Sequence, residues 1–595
     1  MTHFSENCRP LAIRWVAPET REGVAAASAG IADVCVVRLP ACTAADEQGK
    51  PITALAELVR EVAQGLAPSA TLVCLGEVAD LVHIQANVPD SLRYQHWVAI
   101  QRTDILHGRD GRLPHAHFGA LMYTRYDVPL RHTKTRIRYT YCPACDKTTK
   151  DYGGKKHTYH EIGTHISDVW RDVQCDFSQD VTPVVSRLSE LFGLDPYRDL
   201  TVMDLGRLNM RRAANVLGSA ACAERRVPEA LRDKILHGDC LATLRQVPDC
   251  SIDFAFADPP YNLAKKYLGY SDDLAIQDYF RWCDRWIAEM ARVLKPGRTL
   301  AVLNIPLWAV RHFLFLRTVL EYQNWIVWDA LAFPVRRVMP AHYAIVCFSK
   351  GPPRGLPGLT GESRHVRVAG APKTFDALAP LAEGYCLRQG CVDRRIASKT
   401  NDRSLLTDVW CDIHRLKHNS RRVDHPCQLP PHLMYRLITL FTKPGETVMD
   451  CFNGAGTTTL AAHQLGRNYI GMDSSEQYCA LARHRHLEIE NRLDPFRKAE
   501  RKLTSKNSPV RRLPKQEYKV SKKTLQLEVK RVAAQLGHIP TREELLRLGK
   551  YPIDYYDRYF ISWGEVTAAA RTTGMSEVRG KPGGRVEAVQ LRLVE

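Results

Sequence analysis

Four consecutive residues, Asp258, Pro259, Pro260 and Tyr261, combine a carboxylate, a rigid turn and an aromatic ring. The two prolines stiffen the turn and remove two backbone donors, which leaves carbonyl oxygens and the carboxylate to accept hydrogen bonds. Acceptors fixed in this way suit the exocyclic amine of a nucleobase, which has two hydrogens to donate. Accepting both hydrogens turns the nitrogen lone pair towards an electrophile, and the ring of Tyr261 offers a flat face for a base taken out of the helix. Taken alone, the segment is also compatible with a strand that ends in a proline turn.

The sequence before Asp258 predicts the element that positions it. Ser251 to Ala257 alternates in polarity and is rich in residues that favour strands, which predicts a buried strand. Asp258 follows the carboxyl end of that strand, and α/β sheets place their ligands at this end.

A glycine-rich turn later in the chain is the second candidate site. Thr447 to Phe452 predicts a strand, Asn453 to Thr458 a turn, and Thr459 to Leu465 a helix. Glycines let the backbone approach a ligand closely. The next predicted strand, Tyr469 to Met472, ends at Asp473, whose carboxylate could bind ribose hydroxyls as in dinucleotide folds. No Lys-Ser/Thr pair follows the glycines, which argues against a triphosphate-binding loop, but this piece alone is compatible with an NAD-linked oxidoreductase.

The two sites, in this order along the chain, strongly resemble those of DNA amino-methyltransferases. The order, with the tetrapeptide before the cofactor loop, is similar to the permuted beta group, which is common among bacterial adenine-N6 methyltransferases. The resemblance implies an α/β, Rossmann-like sheet of seven strands and direct methyl transfer from S-adenosylmethionine without a covalent enzyme intermediate. It covers residues 229–490 approximately and is carried by Ile235 to Cys240, Asp258 to Asn262, His425 to Gln428, and Asp450 to Thr458.

The resemblance also implies roles for single residues. Asp258 and the carbonyl of Pro259 would hold the amine in the rigid turn that Pro260 completes, and Tyr261 would stack on the base. The methionine part of the cofactor would contact Asp450, Phe452, Asn453, Gly454, Gly456 and Thr457, its ribose Asp473, and its adenine end Asp239. Two positions depart from the family pattern, because Leu429 stands where a lysine is frequent and Tyr343 lies near the place of a frequent glutamate.

Two α/β-patterned regions, 1–218 and 229–495, share five short stretches in the same order, which predicts an internal duplication. In the first region Arg38 to Ala41 stands in place of Asp258 to Tyr261, and Leu205 to Asn209 replaces the glycine-rich turn. We therefore predict that the first region is a catalytically inactive methyltransferase-like domain that supports the fold, pairs with the second as a built-in dimer partner, or grips DNA. The matched stretches are 32–37 with 252–257, 94–97 with 322–325, 116–118 with 341–343, 168–170 with 408–410, and 201–204 with 447–450.

Cysteines suggest one metal site in the first region. Cys142 and Cys145 form a C-x-x-C pair, and two thiolates with two of the following candidate ligands could hold zinc in a tetrahedral site. A reduced structural pair is the alternative. The eighteen cysteines of the chain are scattered mostly singly, which predicts reduced cytosolic thiols rather than a disulfide framework. The candidate further ligands are His157, His160, His165 and Cys175.

Charge and the C-terminal sequence favour double-stranded DNA as the partner. The net charge is +18, and the predicted linker 496–523 holds a run of lysines and arginines that suits phosphates. The segment 350–406 falls where the permuted group carries its target-recognition segment, and its arginines suit guanine edges; a solvated loop is the alternative.

A small all-helical module is predicted at 524–575. Apolar residues recur at helical spacing from Leu525 to Leu536, Gly537 ends that helix, and Thr541 to Glu544 has the form of a capping box. The module resembles the helical repeats found beside homing endonucleases, which implies DNA binding; a plain helical cap is the alternative.

The sequence as a whole predicts a site-specific DNA methyltransferase that acts on adenine N6 in restriction–modification or phage defence. We expect a bacterial cytoplasmic monomer with an internal pseudo-dimer, because no apolar run of about 18 residues and no secretory signal occur. Cytosine N4 is the nearest alternative acceptor and RNA a further one. A non-catalytic DNA-binding protein remains the alternative of another class.

Overall fold

The computed structural model describes most of the chain. Its described ranges are 13–41, 52–108, 111–208, 222–360, 403–413, 428–496 and 522–571, each with short gaps, and a few positions between 377 and 397. One compact unit extends to residue 498 and takes in both α/β regions, and a second unit spans 499–589. We call residues 13–208 the first half and 222–496 the second half of the larger unit. The predicted linker lies almost wholly outside the described residues.

Each half is built on one mixed sheet. The sheet of the first half has seven strands, which lie in the order Ile13–Val16, Leu200–Asp204, Val34–Arg38, Thr71–Gly76, His115–Arg125, Leu92–Leu106 and Val169–Cys175. The sheet of the second half has eight, in the order Lys234–His237, Asn468–Asp473, Thr447–Asp450, Ile252–Ala257, Leu294–Asn304, His342–Ser349, Glu321–Asp329 and Val409–Trp410. The second sheet exceeds the seven strands implied by the resemblance because the two-residue strand Val409–Trp410 adds to its edge.

Helices pack on both sheets, and their apolar faces form the core. Those of the first half are Arg21–Ser28, Thr53–Gly65, Val78–Asn87 and Thr182–Phe192, with a 3-10 turn at Leu205–Arg207. Those of the second half are Cys240–Leu244, Ile276–Val293, Pro306–Val319, Pro357–Thr360, Pro431–Phe441, Thr457–Gln464 and Glu476–Glu490. Three small hairpins complete the unit, formed by Arg136–Arg138 with Gly163–His165, Tyr141–Cys142 with Lys147–Thr148, and Lys266–Tyr267 with Tyr270–Ser271.

The two sheets repeat one arrangement over six strands. From Leu200–Asp204 to Val169–Cys175, neighbours are parallel, parallel, antiparallel, antiparallel and parallel. The six strands from Thr447–Asp450 to Val409–Trp410 show the same sequence of orientations. This repetition supports the predicted duplication, which itself stays a prediction.

Strand register tests the five matched stretches one by one. Four of them lie at equivalent heights: for example, Trp97 pairs with Leu121, and its counterpart Trp325 pairs with Val346. The match of 201–204 with 447–450 is wrong by two residues, because Val36 pairs with Val202 whereas its counterpart Phe256 pairs with Asp450. A shift of two leaves every side chain on its original face of the sheet, so the sequence pattern gives no warning of it.

Each half has a buried aspartate that accepts hydrogen bonds from the backbone of the other half. Asp168 of the first half accepts hydrogen bonds from the backbone N–H groups of Ala341 and His342, at 2.6 and 2.9 Å. Its counterpart Asp408 of the second half accepts one from the backbone N–H of Ala116 at 2.8 Å. A contact in which i meets j′ and j meets i′ is the geometry of a twofold dimer interface. The halves therefore contact each other as the two subunits of a symmetric dimer would.

Aromatic packing completes this interface. Trp97 and Trp325, which are counterparts, stack with ring centroids 5.1 Å apart and planes 10° from parallel. The side chain of Asn324 receives the backbone N–H of Leu113 at 3.0 Å, and Gln323 donates to the carbonyl of Gly111 at 2.5 Å. One cluster of buried apolar side chains runs continuously through both halves. Buried apolar side chains therefore pack across the interface as they do within a domain core.

The two aspartates differ in their ionisation. Burial raises the pKa of Asp168 to about 7, against the opposing effect of its backbone donors. For Asp408 the penalty of burial is outweighed by His117 and His115, which hold its pKa well below the usual range. His115 lies 2.5 Å from Asp408 and 2.9 Å from Glu77, so it bridges two carboxylates.

The C-terminal unit is a small helical module, as predicted. Its helices are Lys522–Leu536, Arg542–Leu548, Ile553–Tyr559 and Trp563–Arg571. Gly537 follows the first helix with φ of +75°, and Thr541 and Glu544 form the predicted capping box. Leu525, Val529 and Val532 are fully buried in its core.

Among the described cysteines, Cys222 and Cys250 depart from the expectation of reduced thiols, because they form a disulfide. The backbone N–H of Arg225 donates to the carbonyl of Cys250 at 2.8 Å, which holds the two segments side by side. Nothing in the sequence spacing of these cysteines indicated the pairing. No helix within the described ranges is long and apolar enough to cross a membrane.

Removal of the Asp168 carboxyl group should destabilise the larger unit. In the Asp168→Ala variant two buried N–H groups lose their acceptor, and we expect the free energy of unfolding to fall by about 3 kcal/mol in denaturant titrations. The matched control is Asp172→Ala on the same strand, which breaks a half-exposed ion pair with Arg187 and should cost less than about 1 kcal/mol. Equal losses in the two variants would contradict the role of the carboxyl exchange.

The His115 bridge should make stability depend on pH. Burial lowers the pKa of His115, but Asp408 and Glu77 outweigh it and raise the pKa to about 10. A histidine whose pKa is raised on folding contributes its full stabilisation below about pH 6.5, and the contribution is lost as the pH rises through the folded value. We expect the difference in unfolding free energy between wild type and His115→Gln to shrink by about 2 kcal/mol or more between pH 6.5 and 10. A difference that stays constant over this range would show that His115 is not held in the charged form.

Candidate active site

The two predicted sites meet at one edge of the second sheet. Four parallel strands lie side by side there, and His237 pairs with Asp473 while Asp450 pairs with Gly471 on one side and Phe256 on the other. Asp239, Asp473, Asp450 and Asp258 therefore stand in a row where these strands end. This is the edge at which open α/β sheets bind ligands.

Asp258 is held by the tyrosine of its own segment. The hydroxyl of Tyr261 donates to Asp258 Oδ1 at 2.9 Å. The strand before it runs from Ile252 to Ala257, one residue shorter than predicted. Tyr261 is 8% exposed, so its ring presents little surface and its predicted stacking on a base stays a prediction.

Two aromatic residues that the sequence analysis did not single out fix this turn. The hydroxyl of Tyr279 donates to the carbonyl of Pro260 at 2.8 Å, and the indole N–H of Trp308 donates to the carbonyl of Tyr261 at 2.7 Å. Both lie on helices, Ile276–Val293 and Pro306–Val319, whose apolar faces pack on the sheet. Their types are ordinary for a core, so the sequence carried no signal for this function.

Asn262 shapes the loop that leaves the turn. It has φ of +53°, in the left-handed region that asparagine tolerates better than most residues. Its side chain donates to the carbonyl of Leu274 and accepts from the backbone N–H of the same residue, both at 2.8 Å. This pair of hydrogen bonds to Leu274 brings the end of the loop back to the tetrapeptide.

Asp450 is a buried carboxyl group at the centre of the row. Its Oδ1 accepts the backbone N–H of Phe452 at 2.8 Å, and burial raises its pKa to about 7. The ring of Phe452 packs edge-on against Trp282 and Trp286, with centroids 5.6 and 5.2 Å away. Phe452 is thereby fixed beside the turn that follows.

The glycine-rich turn requires its glycines. Gly454 has φ of +49° and Gly456 of +91°, and the helix that follows runs from Thr457 to Gln464 rather than from Thr459 to Leu465. The backbone N–H of Gly454 donates to Asp473 Oδ2 at 2.8 Å, and that of Ser475 donates to Oδ1 at 2.8 Å. Asp473 is thus oriented from both sides, and burial raises its pKa.

Asn453 carries a buried donor for which the described residues supply no acceptor. Its Oδ1 accepts the hydroxyl hydrogen of Thr459 at 2.9 Å, whereas its Nδ2 has no hydrogen-bond partner. Gly471 passes so close that a Cβ there would lie 2.7 Å from Asn453 Cγ. A buried amide donor of this kind is costly unless a ligand accepts its hydrogen bond.

Asp239 and the predicted metal pair have different surroundings. Asp239 caps the helix Cys240–Leu244 through a 3.0 Å bond from the backbone N–H of Ala242, so its cofactor contact stays a prediction.

Cys142 and Cys145 lie in a small hairpin of the first half. Of the His425 to Gln428 segment only Gln428 falls among the described residues.

At the corresponding sheet edge of the first half, Arg38 stands in place of Asp258 and is bound by neighbouring groups. Arg38 forms an ion pair with Asp204 at 2.8 Å and donates to the carbonyls of Phe177 and Ser178 at 2.7 and 2.8 Å. A cation therefore fills the place where the second half has the Asp258 carboxylate.

Two protein families match this chain. The DNA methylase family matches residues 252–484, and the homing endonuclease associated repeat matches residues 520–570, which confirms both resemblances. The Type II methyltransferase M.BamHI of Bacillus amyloliquefaciens is 35% identical over 246 residues, which are 40% of this chain and 54% of that protein. The Type II methyltransferase M1.MboII of Moraxella bovis is 30% identical over 256 residues, which are 41% of this chain and 93% of that protein. The chain thus spans about half the length of the first relative and nearly all of the second.

A solved structure is also similar. A DNA modification methylase of Thermus thermophilus, complexed with S-adenosyl-L-methionine, is 22% identical. The match covers 43% of this chain and 93% of that protein's chain. The TM-score is 0.28.

The turn at Gly456 offers a test of how tightly this site is built. In Gly456→Ala a new Cβ would lie 3.0 Å from the Cβ of Ala482, and the residue would keep a left-handed φ. We expect a loss of unfolding free energy of about 3 kcal/mol, of which about 1 to 2 kcal/mol comes from the backbone alone. Gly466→Ala is the control for the backbone term, since its φ is +69° and nothing lies within 4 Å of a Cβ there. Losses of the same size at both positions would show that the packing against Ala482 does not matter.

Proposed function

Because this chain belongs to the N6/N4 family of DNA methylases, we propose that it transfers a methyl group from S-adenosylmethionine to an exocyclic amine in double-stranded DNA. The observation that carries the proposed transfer to an amine is the row of Asp258, Asp450 and Asp473 along one sheet edge. We propose adenine N6 as the acceptor because the order of the two sites resembles the permuted beta group. Cytosine N4 is the alternative acceptor, since the chemistry at the amine is the same.

The residues around the glycine-rich turn fit S-adenosylmethionine. The unsatisfied Nδ2 of Asn453 suits a carboxylate oxygen such as that of the methionine part. The Asp473 carboxyl group, held by the N–H groups of Gly454 and Ser475, has lone pairs left to accept ribose hydroxyls. When bound, the cofactor supplies a methyl group on a positively charged sulfur as the electrophile.

The turn at Asp258 supplies the acceptor groups for the amine. Its side chain is oriented by the Tyr261 hydroxyl, and the turn is anchored by Tyr279 and Trp308. A carboxylate fixed before the substrate arrives stabilises positive charge that develops on the attacking nitrogen, without reorganisation at the moment of reaction. The proposed roles of Asp258 and of the Pro259 carbonyl are therefore to orient the amine and to accept its hydrogens.

The first half is proposed to be an inactive copy of the same domain. The shared order of six strands and the reciprocal Asp168 and Asp408 contacts support an origin by duplication. The Arg38 to Asp204 ion pair in place of a catalytic carboxylate supports its inactivity. Its proposed role is that of a built-in dimer partner for the active half.

The C-terminal helical module is proposed to add DNA contacts, in keeping with its family and with the net charge of +18. Restriction–modification and phage defence in the bacterial cytoplasm are the proposed biological setting. The relatives named as Type II methyltransferases support the first of these.

The Asp258→Asn variant tests the proposal. The amide keeps the shape of the carboxylate but loses its charge and one acceptor, so we expect methyl transfer to fall by about 100-fold or more while cofactor affinity changes less than about threefold. Full-length protein would be incubated with labelled S-adenosylmethionine and mixed-sequence DNA, and the DNA digested to nucleosides to identify the labelled base. Cofactor binding would be measured separately by calorimetry.

Asp204→Asn is the matched control. It makes the same chemical change at the corresponding sheet edge of the first half, and we expect methyl transfer to stay within about twofold of wild type. Label in N6-methyladenine supports the proposed acceptor, and label in N4-methylcytosine replaces it by the alternative. Unchanged transfer in Asp258→Asn would contradict the site, and cofactor binding by the wild type without any DNA methylation would favour a non-catalytic DNA-binding protein.

A further inference from the structure

Three cysteine sulfurs from distant parts of the sequence lie together. Cys142 and Cys145 belong to the first half and Cys391 to the second, and their Sγ atoms all lie within 4.8 Å of one another. Cys142 and Cys391 are buried, at 0 and 2% exposure. The sequence predicted the first two as ligands but supplied no signal for the third.

The ligands expected beside the C-x-x-C pair were different. Among the described residues His160, His165 and Cys175 do not join this group, and the thiol of Cys175 instead donates to the carbonyl of Asp180 at 3.2 Å. His157 lies outside the described residues. The third sulfur comes from the segment 350–406, which was predicted to read the DNA sequence.

The hairpin that carries the pair is too small to be stable on its own. It has two cross-strand pairs, Tyr141 with Thr148 and Cys142 with Lys147, and forms a sheet separate from the large one. Tyr141 is half-exposed, so it adds little to a core. An isolated two-stranded hairpin is marginal in water even when it is longer, and small modules of this kind gain their stability from a metal or a disulfide.

The number and environment of the sulfurs favour a metal. A disulfide joins two sulfurs, whereas one tetrahedral zinc ion accommodates all three, with Zn–S bonds of about 2.3 Å and S–S edges of about 3.8 Å. Arg394 donates from Nη2 to Cys391 Sγ at 3.6 Å, so this sulfur has a polar neighbour as well as the two other sulfurs. The hairpin turn also places Asp146 in the left-handed region, with φ of +51°, directly after Cys145.

We propose that Cys142, Cys145 and Cys391 bind one structural zinc ion, which joins the hairpin of the first half to the 350–406 segment of the second. Three thiolates leave the fourth tetrahedral position to a further protein ligand or a water. The ion would join a hairpin with only two cross-strand pairs to a segment that is distant in the sequence. Its presence does not depend on whether the second half transfers methyl groups.

The metal content of purified full-length protein tests this proposal. We expect about one zinc per chain by elemental analysis, and less than about 0.2 in each of Cys142→Ser, Cys145→Ser and Cys391→Ser. Cys175→Ser is the control, because a serine hydroxyl can keep the bond to Asp180 and zinc should stay at about one. Substitution with cobalt should give the charge-transfer absorption of thiolate ligands, weakened in the Cys391→Ser variant.

A measurement on the wild-type protein tests the proposal even if the cysteine variants fail to fold. The three thiols should resist alkylation by N-ethylmaleimide until a chelator removes the metal, and then react together, as mapped by mass spectrometry. Wild-type protein from zinc-supplemented medium that holds no metal would overturn the proposal. So would full retention of zinc by Cys391→Ser, or reaction of the three thiols that is indifferent to the chelator.

Discussion

Asp168 and Asp408 each place a buried carboxyl group against the backbone of the opposite half, and the remaining structure is arranged around that exchange. A buried polar group that loses its partner costs several kcal/mol, and both carboxyl groups and their N–H donors would be stranded if the halves parted. The stacked Trp97 and Trp325 fill the space between them. Because each aspartate directly precedes a strand at the end of its own sheet, the exchange also fixes the orientation of the two sheets relative to each other.

A symmetric interface of this kind need not keep two symmetric sites. His115 next to Asp408 gives that aspartate a cationic partner, whereas Asp168 is held by backbone donors and has a raised pKa. At the sheet edges the difference is larger, because Arg38 neutralises Asp204 in the first half while Asp258 and Asp450 keep their carboxyl groups in the second. The reciprocal contacts of the interface are present although the residues at the two sheet edges differ.

Much of the site could be predicted because its information is local. A run of strand-forming residues precedes Asp258, and another precedes the glycine-rich turn. Each pattern by itself predicts that functional residues lie at the end of a strand. The contacts that the sequence did not reveal join residues far apart in the chain, as when Asp168 meets Ala341 or Cys391 meets Cys142. Tyr279 and Trp308 were missed for another reason. Each side chain packs in the core and also donates a hydrogen bond to the turn, but only the packing produces a periodic apolar pattern in the sequence.

The anchoring of the 350–406 segment explains why an inactive half would be retained. The second half holds the segment near its start, in its middle and just past its end: Arg354 pairs with Glu446, and the buried Arg436 binds the carbonyl of Ala377 and, beyond the segment, Asp412. Between these anchors the proposed metal at Cys391 would tie the segment to the first half, and Asp408, just beyond it, is tied to the first half by Ala116 and His115. A segment proposed to read DNA would gain a fixed path from contacts with both halves. If the first half is inactive, as proposed, it would still supply fixed points for the proposed recognition segment of the second half.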